Sequence, residues 1–201
     1  MREQRVNPTA KSRSPATAHA SDIELLRLLI GTQESRRLYR GSLQPFFSES
    51  PDGNPPAKCT VARELVKRWL SEGLQSREVF ASPTAVQEYL KIHFAGREYE
   101  SFVVLFLDAQ NRLIEAEEIF RGSLTQTSVY PREVVKAALR KNAATVVFSH
   151  NHPSGSTTPS RADEVLTQTL KAALSLVDVR VLDHIIVAGS LTLSLAEQGL
   201  L

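Results

Sequence analysis

The feature that most constrains this chain is a short hydrophobic strand that ends in two histidines. Ala144-Thr145-Val146-Val147-Phe148-Ser149 is β-branched and aromatic and runs into Asn151, Pro153 and Gly155, so it reads as a buried strand followed by a loop. His150 and His152 stand two apart where the strand runs out, and side chains two apart on an extended chain leave on the same side. Both imidazoles can therefore reach one ion. Beyond a loop containing Pro153, Gly155 and Pro159, Ser160-Arg161-Ala162-Asp163 opens a helix with apolar residues at Leu166, Leu170, Ala173, Leu174 and Val177. Asp163 falls in its first turn, able to point back toward the strand end.

Two His and one carboxylate leave a fourth tetrahedral position for water, the arrangement of a catalytic rather than a structural zinc. One Zn2+ per chain is the expectation, although nitrogen and oxygen ligands would also accept manganese or iron. Each part has a simpler reading. Ser160-x-x-Asp163 is close to a capping box, with Asp where Glu or Gln is usual, and a helix N-terminus favours an acid in any case. An isolated His-x-His is often a solvated loop. What points to a metal is the coincidence of all four residues at this spacing.

The pattern His150-Asn151-His152-Pro153-Ser154-Gly155, then Ser160, then Asp163, resembles the JAMM signature of the JAB/MPN metallopeptidases. The wording around it is narrower: Pro131 to Leu139, Ser149 to Gly155, Pro159-Ser160-x-x-Asp163 and Leu182-Asp183-His184-Ile185-Ile186-Val187 together resemble RadC-like proteins, long labelled DNA repair proteins. The resemblance runs from near Glu100 to the C-terminus. Asn151 is not the sign of an HNH nuclease, whose named residues are scattered over a ββα unit.

The resemblance implies an upstream Glu on a neighbouring strand that shuttles protons. Glu100 directly abuts the apolar run Ser101 to Leu107 and is the preferred candidate; Glu98, two residues earlier, would share its face if the strand began early. The mechanism implied is that a zinc bound by His150, His152 and Asp163 lowers the pKa of its water from about 15.7 toward about 7. Glu100 would take that proton and pass it to a leaving amine, and Ser160 could donate to the oxyanion of the tetrahedral intermediate. The implied reaction is hydrolysis of a peptide or isopeptide bond in a peptide or protein substrate that no residue identifies. The alternative is a repair-associated protein acting on or with nucleic acid.

Composition sets outer limits. A chain of 201 residues, 42% of them hydrophobic, can bury one good core and a small second one. Its single cysteine, Cys59, excludes an intrachain disulfide and fits a reducing compartment. No apolar run reaches membrane length and no signal-peptide core opens the chain, so a soluble, cytoplasmic protein is expected. A formal charge of +2 does not by itself argue for nucleic acid.

Three parts are expected along the chain. Residues 1–20 lack periodicity and read as a disordered basic tail. Residues 21–78 read as helices around a loop: Ser21 and Asp22 can cap Ile23 to Ile30, while Val61, Leu65, Val66, Trp69 and Leu70 mark the inner face of a second helix. Between them, Gly41 to Lys58 is rich in Ser, Pro and Gly and reads as an exposed loop. RadC-like proteins carry a helix-hairpin-helix here, and Gly53 to Lys58 resembles a degraded copy. Pro55 stands where the second hairpin Gly is expected; it has no N–H, and its φ is fixed near about −65°, so a helical remnant packing on the main domain is expected rather than a DNA-binding hairpin. Arg36, Arg37 and Arg40 read as a solvated helix face.

Residues 79–201 form the third part, opened by a helix that Ser82 caps and Pro83 starts. Strands are expected before and after a turn at Asp108 to Arg112, with a short extended piece near Ser128. A helix from Pro131, the His-bearing strand, the Ser160 helix, and strands Val179 to Ala188 and Leu191 to Leu195 joined by a tight Gly189-Ser190 hairpin follow. Such a mixture is an α/β fold, a mixed sheet sandwiched by helices; the resemblance adds that it is the JAB/MPN, cytidine deaminase-like fold. His184, beside Asp183, is read as a satisfied structural histidine, with a role behind the metal or as a fourth ligand left open. His93 has no partner in sequence and is read as structural.

Overall fold

The computed structural model describes residues 17, 19–47, 55–76, 83–122 and 129–201. Most of the expected tail, Gly53-Asn54 of the degraded hairpin, the Ser82 cap and the piece near Ser128 lie outside the described residues. The chain divides into two compact units, residues 1–43 and 44–201.

The first unit contains α1 (Asp22–Ile30) and α2 (Thr32–Leu38), joined at Gly31 with φ of 90°. A capping box explains where α1 starts: Glu24 Oε2 accepts from both Ser21 N and Ser21 Oγ, at 2.8 and 2.7 Å. Arg36 and Arg37 lie on the exposed side of α2, as read from the charge pattern.

In the second unit α3 (Gln44–Phe47) places a fully buried Phe46 inside the stretch expected to be an exposed loop. One aromatic side chain with apolar surface to hide outweighs the Ser, Pro and Gly around it. Helix α4 (Ala57–Ser76) also corrects the sequence reading. Its inward positions are Cys59, Leu70 and Leu74, whereas Val61, Leu65, Val66 and Trp69 are exposed, Trp69 by 69%. The half-buried Arg63 donates to the carbonyls of Phe47 and Ala95, so a cation occupies a position on the inward side that hydrophobic periodicity alone would not assign.

The rest of this unit is α5 (Pro83–Phe94), β1 (Ser101–Leu107), β2 (Leu113–Arg121), α6 (Pro131–Arg140), β3 (Thr145–Asn151), α7 (Arg161–Ser175), β4 (Arg180–Ala188) and β5 (Leu191–Ser194). The strands form one mixed sheet in the order β2-β1-β3-β4-β5, in which β3 and β4 are parallel and the other pairs antiparallel. Helix α5 covers one face, packing Val86, Tyr89, Leu90 and Phe94 against Val103, Leu105, Val147 and Ile185. Helices α6 and α7 cover the other, where Val134, Ala138, Leu170 and Leu174 meet Phe102, Val104, Phe106, Val146 and Phe148. With both faces covered, the central strands β1 and β3 are buried along their whole length, which is why they read as continuous apolar runs rather than alternating ones. The architecture is an α/β fold, a mixed sheet between helices. No helix among the described residues is long and apolar enough to cross a membrane.

Candidate metal centre

Three elements converge at one end of the sheet. β3 carries His150 on the face that meets α7, in line with Val146 and Phe148, and continues two residues further than the apolar run suggested. His152 follows directly, its N–H held by the Val187 carbonyl at 2.8 Å. Gly155, with φ of 84°, lets the loop turn back toward α7 through a left-handed conformation that only glycine adopts freely.

At the start of α7, Ser160 is the N-cap. Its Oγ accepts from Asp163 N at 3.2 Å and donates to Asp163 Oδ2 at 2.7 Å, and the same carboxylate oxygen accepts from Ser160 N. The capping box seen in the sequence thus forms with Asp in place of Glu. It also aims Asp163: Oδ1 lies 3.3 Å from His150 Nε2 and Oδ2 lies 3.6 Å from His152 Nε2. The cap and the site are one arrangement.

The two Nε2 atoms are 2.9 Å apart, and ligand atoms of His150, His152 and Asp163 all lie within 4.8 Å of one another. His152 Nδ1 is 2.7 Å from the Ser156 carbonyl, which can only accept, so the Nδ1 carries the hydrogen and Nε2 is left with a lone pair. His150 Nδ1 is 2.8 Å from Nε2 of the fully buried His184. Nitrogen and oxygen donors gathered this closely form a group that could hold a metal ion. The donor set of two imidazoles and one carboxylate suits zinc, with room for further ligands.

The electrostatics agree. Burial alone would raise the Asp163 pKa, but the contacts of its carboxylate with His150, His152 and Ser160 hold it well below the usual carboxylate range. His152 is shifted up, first by its hydrogen bond with Asp163 and against its burial, with smaller contributions from the Ser156 carbonyl and the charges of Asp163 and Glu100. His184 is shifted down by burial and by the neighbouring His150, and is neutral.

Glu100 precedes β1, and its charge acts on His152. It alternates with Phe102, whose register partner is His150, so the strand places it on the histidine face. Asn151 fixes the backbone on both sides of it: Oδ1 accepts from Ser101 N at 2.8 Å and Nδ2 donates to the Tyr99 carbonyl at 2.8 Å. The residue between the two histidines therefore clamps the chain around Glu100. This clamp is not legible in the sequence, and the sequence leaves the role of His184 open, because both contacts depend on β1 and β4 flanking β3. The only sequence signal was that Asn151 and His184 are polar residues inside apolar strands.

Residues 80–200 match the family model described as "RadC-like JAB domain". A UPF0758 protein of Acidovorax sp. (strain JS42) is 67% identical over 144 residues, 72% of this chain and 60% of that relative. One from Variovorax paradoxus (strain S110) is 63% identical over 145 residues, 72% of this chain and 64% of the relative. The matched part of the chain thus spans less than two thirds of the length of these relatives. Another, from Polaromonas sp. (strain JS666 / ATCC BAA-500), is 50% identical over 213 residues, 96% of this chain and 95% of the relative. A family model that covers more than half of the chain, and a relative matched over nearly its whole length, show that this chain belongs to the RadC-like JAB domain family.

Proposed function

We propose that the protein is a zinc-dependent hydrolase of peptide or isopeptide bonds. The observation that carries this reading is the convergence of His150, His152 and Asp163 within 4.8 Å, beside a glutamate whose charge reaches the same histidine. Those three side chains would hold one Zn2+. The ion supplies Lewis acidity and lowers the pKa of water from about 15.7 to about 7. Glu100 takes the proton of the attacking water and delivers it to the leaving nitrogen, a role worth roughly 10² to 10⁴ in rate. Asn151 keeps that carboxylate on the histidine side by holding the backbone before and after it. Ser160, exposed at the start of α7, donates to the developing oxyanion once its hydroxyl turns from Asp163.

The test combines elemental analysis with hydrolysis of a fluorogenic peptide-amide and isopeptide library. The wild type is expected to hold about one zinc per chain, in keeping with a three-ligand site, and His150→Ala and His152→Ala little. Glu100→Gln is expected to keep the metal and lose roughly 10² to 10⁴ in turnover. Unchanged metal content in the histidine variants would sink the assignment, and an inactive Glu98→Gln beside an active Glu100→Gln would move the base to Glu98.

A further inference from the structure

We infer that Thr167 and His184 are positioning residues for His150: a directed chain of hydrogen bonds from the backbone of α7 sets which nitrogen of His150 is free to bind metal. The inference rests on the metal-site reading above. It assigns work to two buried residues that never face the ion.

The chain begins in α7. Thr167 Oγ1 lies 2.6 Å from the Asp163 carbonyl, one turn back, and a carbonyl can only accept, so the single hydroxyl hydrogen goes there. The same oxygen is 2.6 Å from His184 Nδ1. With its own hydrogen committed, the hydroxyl accepts, and His184 carries its hydrogen on Nδ1. A neutral imidazole protonated there has its lone pair on Nε2. That nitrogen is 2.8 Å from His150 Nδ1, so His150 donates from Nδ1 and keeps its lone pair on Nε2. Nε2 of His150 is the atom that faces Asp163 and His152.

Each link follows from the one before it, and none is exposed enough for water to take its place. Thr167 and His184 are fully buried and His150 is 6% exposed. His184 is packed edge-on against Phe102 and Phe148, at 5.6 and 5.8 Å between ring centroids, so its orientation is held by packing as well. The relay also closes on itself: it starts at the carbonyl of Asp163, whose carboxylate is a candidate ligand, and ends at His150, another.

The two histidines are supported differently. His152 donates to the Ser156 carbonyl, a usual partner for a metal-binding histidine, whereas His150 donates to a neutral imidazole. A neutral acceptor orients His150 without adding negative charge, which leaves Asp163 as the one anionic ligand. Removing the Thr167 hydroxyl frees His184 to take the other tautomer. Its Nε2–H would then oppose His150 Nδ1–H and favour the His150 form whose Nε2 is protonated, which cannot ligate.

The test is equilibrium binding of Zn2+ and Co2+ to the full-length chain by chelator competition, together with the visible spectrum of the Co2+ form. Thr167→Val and His184→Leu are expected to weaken both ions by roughly 10- to 100-fold and to shift the Co2+ bands. Thr167→Ser, which keeps a hydroxyl, and His184→Gln, which keeps an acceptor close to Nε2, are expected to restore affinity and spectrum. Melting curves without metal identify a variant that has lost its fold, and the nearly isosteric Thr167 pair decides the result if His184→Leu is one. Wild-type affinity and spectrum in Thr167→Val would overturn the relay while the metal site stands. A wild-type chain that binds neither ion would overturn the metal reading and the relay with it.

Discussion

At the scale of single residues, His93 and His152 show the same side chain driven in opposite directions by its surroundings. His93 is 8% exposed in the last turn of α5, between the rings of Tyr89 and Phe94. Arg97 Nη2 is 3.2 Å from its Nε2; a guanidinium can only donate, so this nitrogen accepts and the ring is neutral. Burial first, then the charges of Arg97, Lys67 and Arg63, push its pKa from 6.5 down to about 3. The unfolded chain therefore takes up a proton that the folded chain refuses. The contribution of His93 to stability is complete above pH 6.5 and drains away as the pH falls from 6.5 toward about 3, by up to about 1.4 kcal/mol per pH unit. Melting of the metal-free protein at several pH values should be steeper for the wild type than for His93→Gln, whose amide accepts from Arg97 and does not titrate. Equal slopes would show that another group dominates acid sensitivity. His152 is raised instead, because Asp163 beside it rewards the charged form.

At the scale of elements, the first turn of α7 carries two roles on one side chain. Ser160 satisfies the Asp163 N–H and, through Asp163 Oδ2, receives an acceptor for its own N–H, while its hydroxyl also steadies the carboxylate that faces the histidines. Ser160→Ala should cost about 1 kcal/mol of stability for the cap, seen as a lower melting temperature. If the hydroxyl also stabilises an oxyanion, turnover should fall by roughly 10² to 10³. A destabilised variant with full turnover would leave Ser160 a cap alone. Helix α4 illustrates the opposite relation between pattern and structure. Its most hydrophobic stripe, Val61, Leu65 and Trp69, is exposed, and the inward side is set by the small Cys59, by Leu70 and Leu74, and by Arg63 reaching two backbone carbonyls.

For the whole molecule, the hydrolase reading and a nucleic-acid-associated reading predict different salt dependence of DNA binding. A formal charge of +2 over 201 residues is small, Arg37 pairs with Glu34, and Arg40 turns back to the carbonyls of Arg36 and Tyr39. Pro55 and Pro56 lead directly into α4, where the Pro56 carbonyl accepts from Cys59 and Thr60, and neither proline has an N–H to offer a phosphate. Binding of duplex DNA by the full chain and by a chain starting at Gln44 should therefore be weak in both cases. The dependence of log affinity on log salt should fall well short of the roughly −5 to −9 that six to ten phosphate contacts produce. Tight, steeply salt-dependent binding by the full chain alone would place the repair reading ahead of the hydrolase.

The sequence by itself determined whatever depends on neighbours along the chain. The buried strand ending in His150, the two-residue spacing that sets both imidazoles on one side, the Ser160 cap, the first-turn proline of α5 and the Gly189-Ser190 hairpin all follow from local backbone geometry and short-range hydrogen bonding. Tertiary structure alone decided what depends on which strands lie side by side. β1 and β4 flank β3, and that order brings Ser101 and Tyr99 to Asn151 and His184 to His150, across separations of 34 to 52 residues. It also decided which face of α4 is covered, since the burial of a helix stripe depends on the partner it meets as well as on its own hydrophobicity.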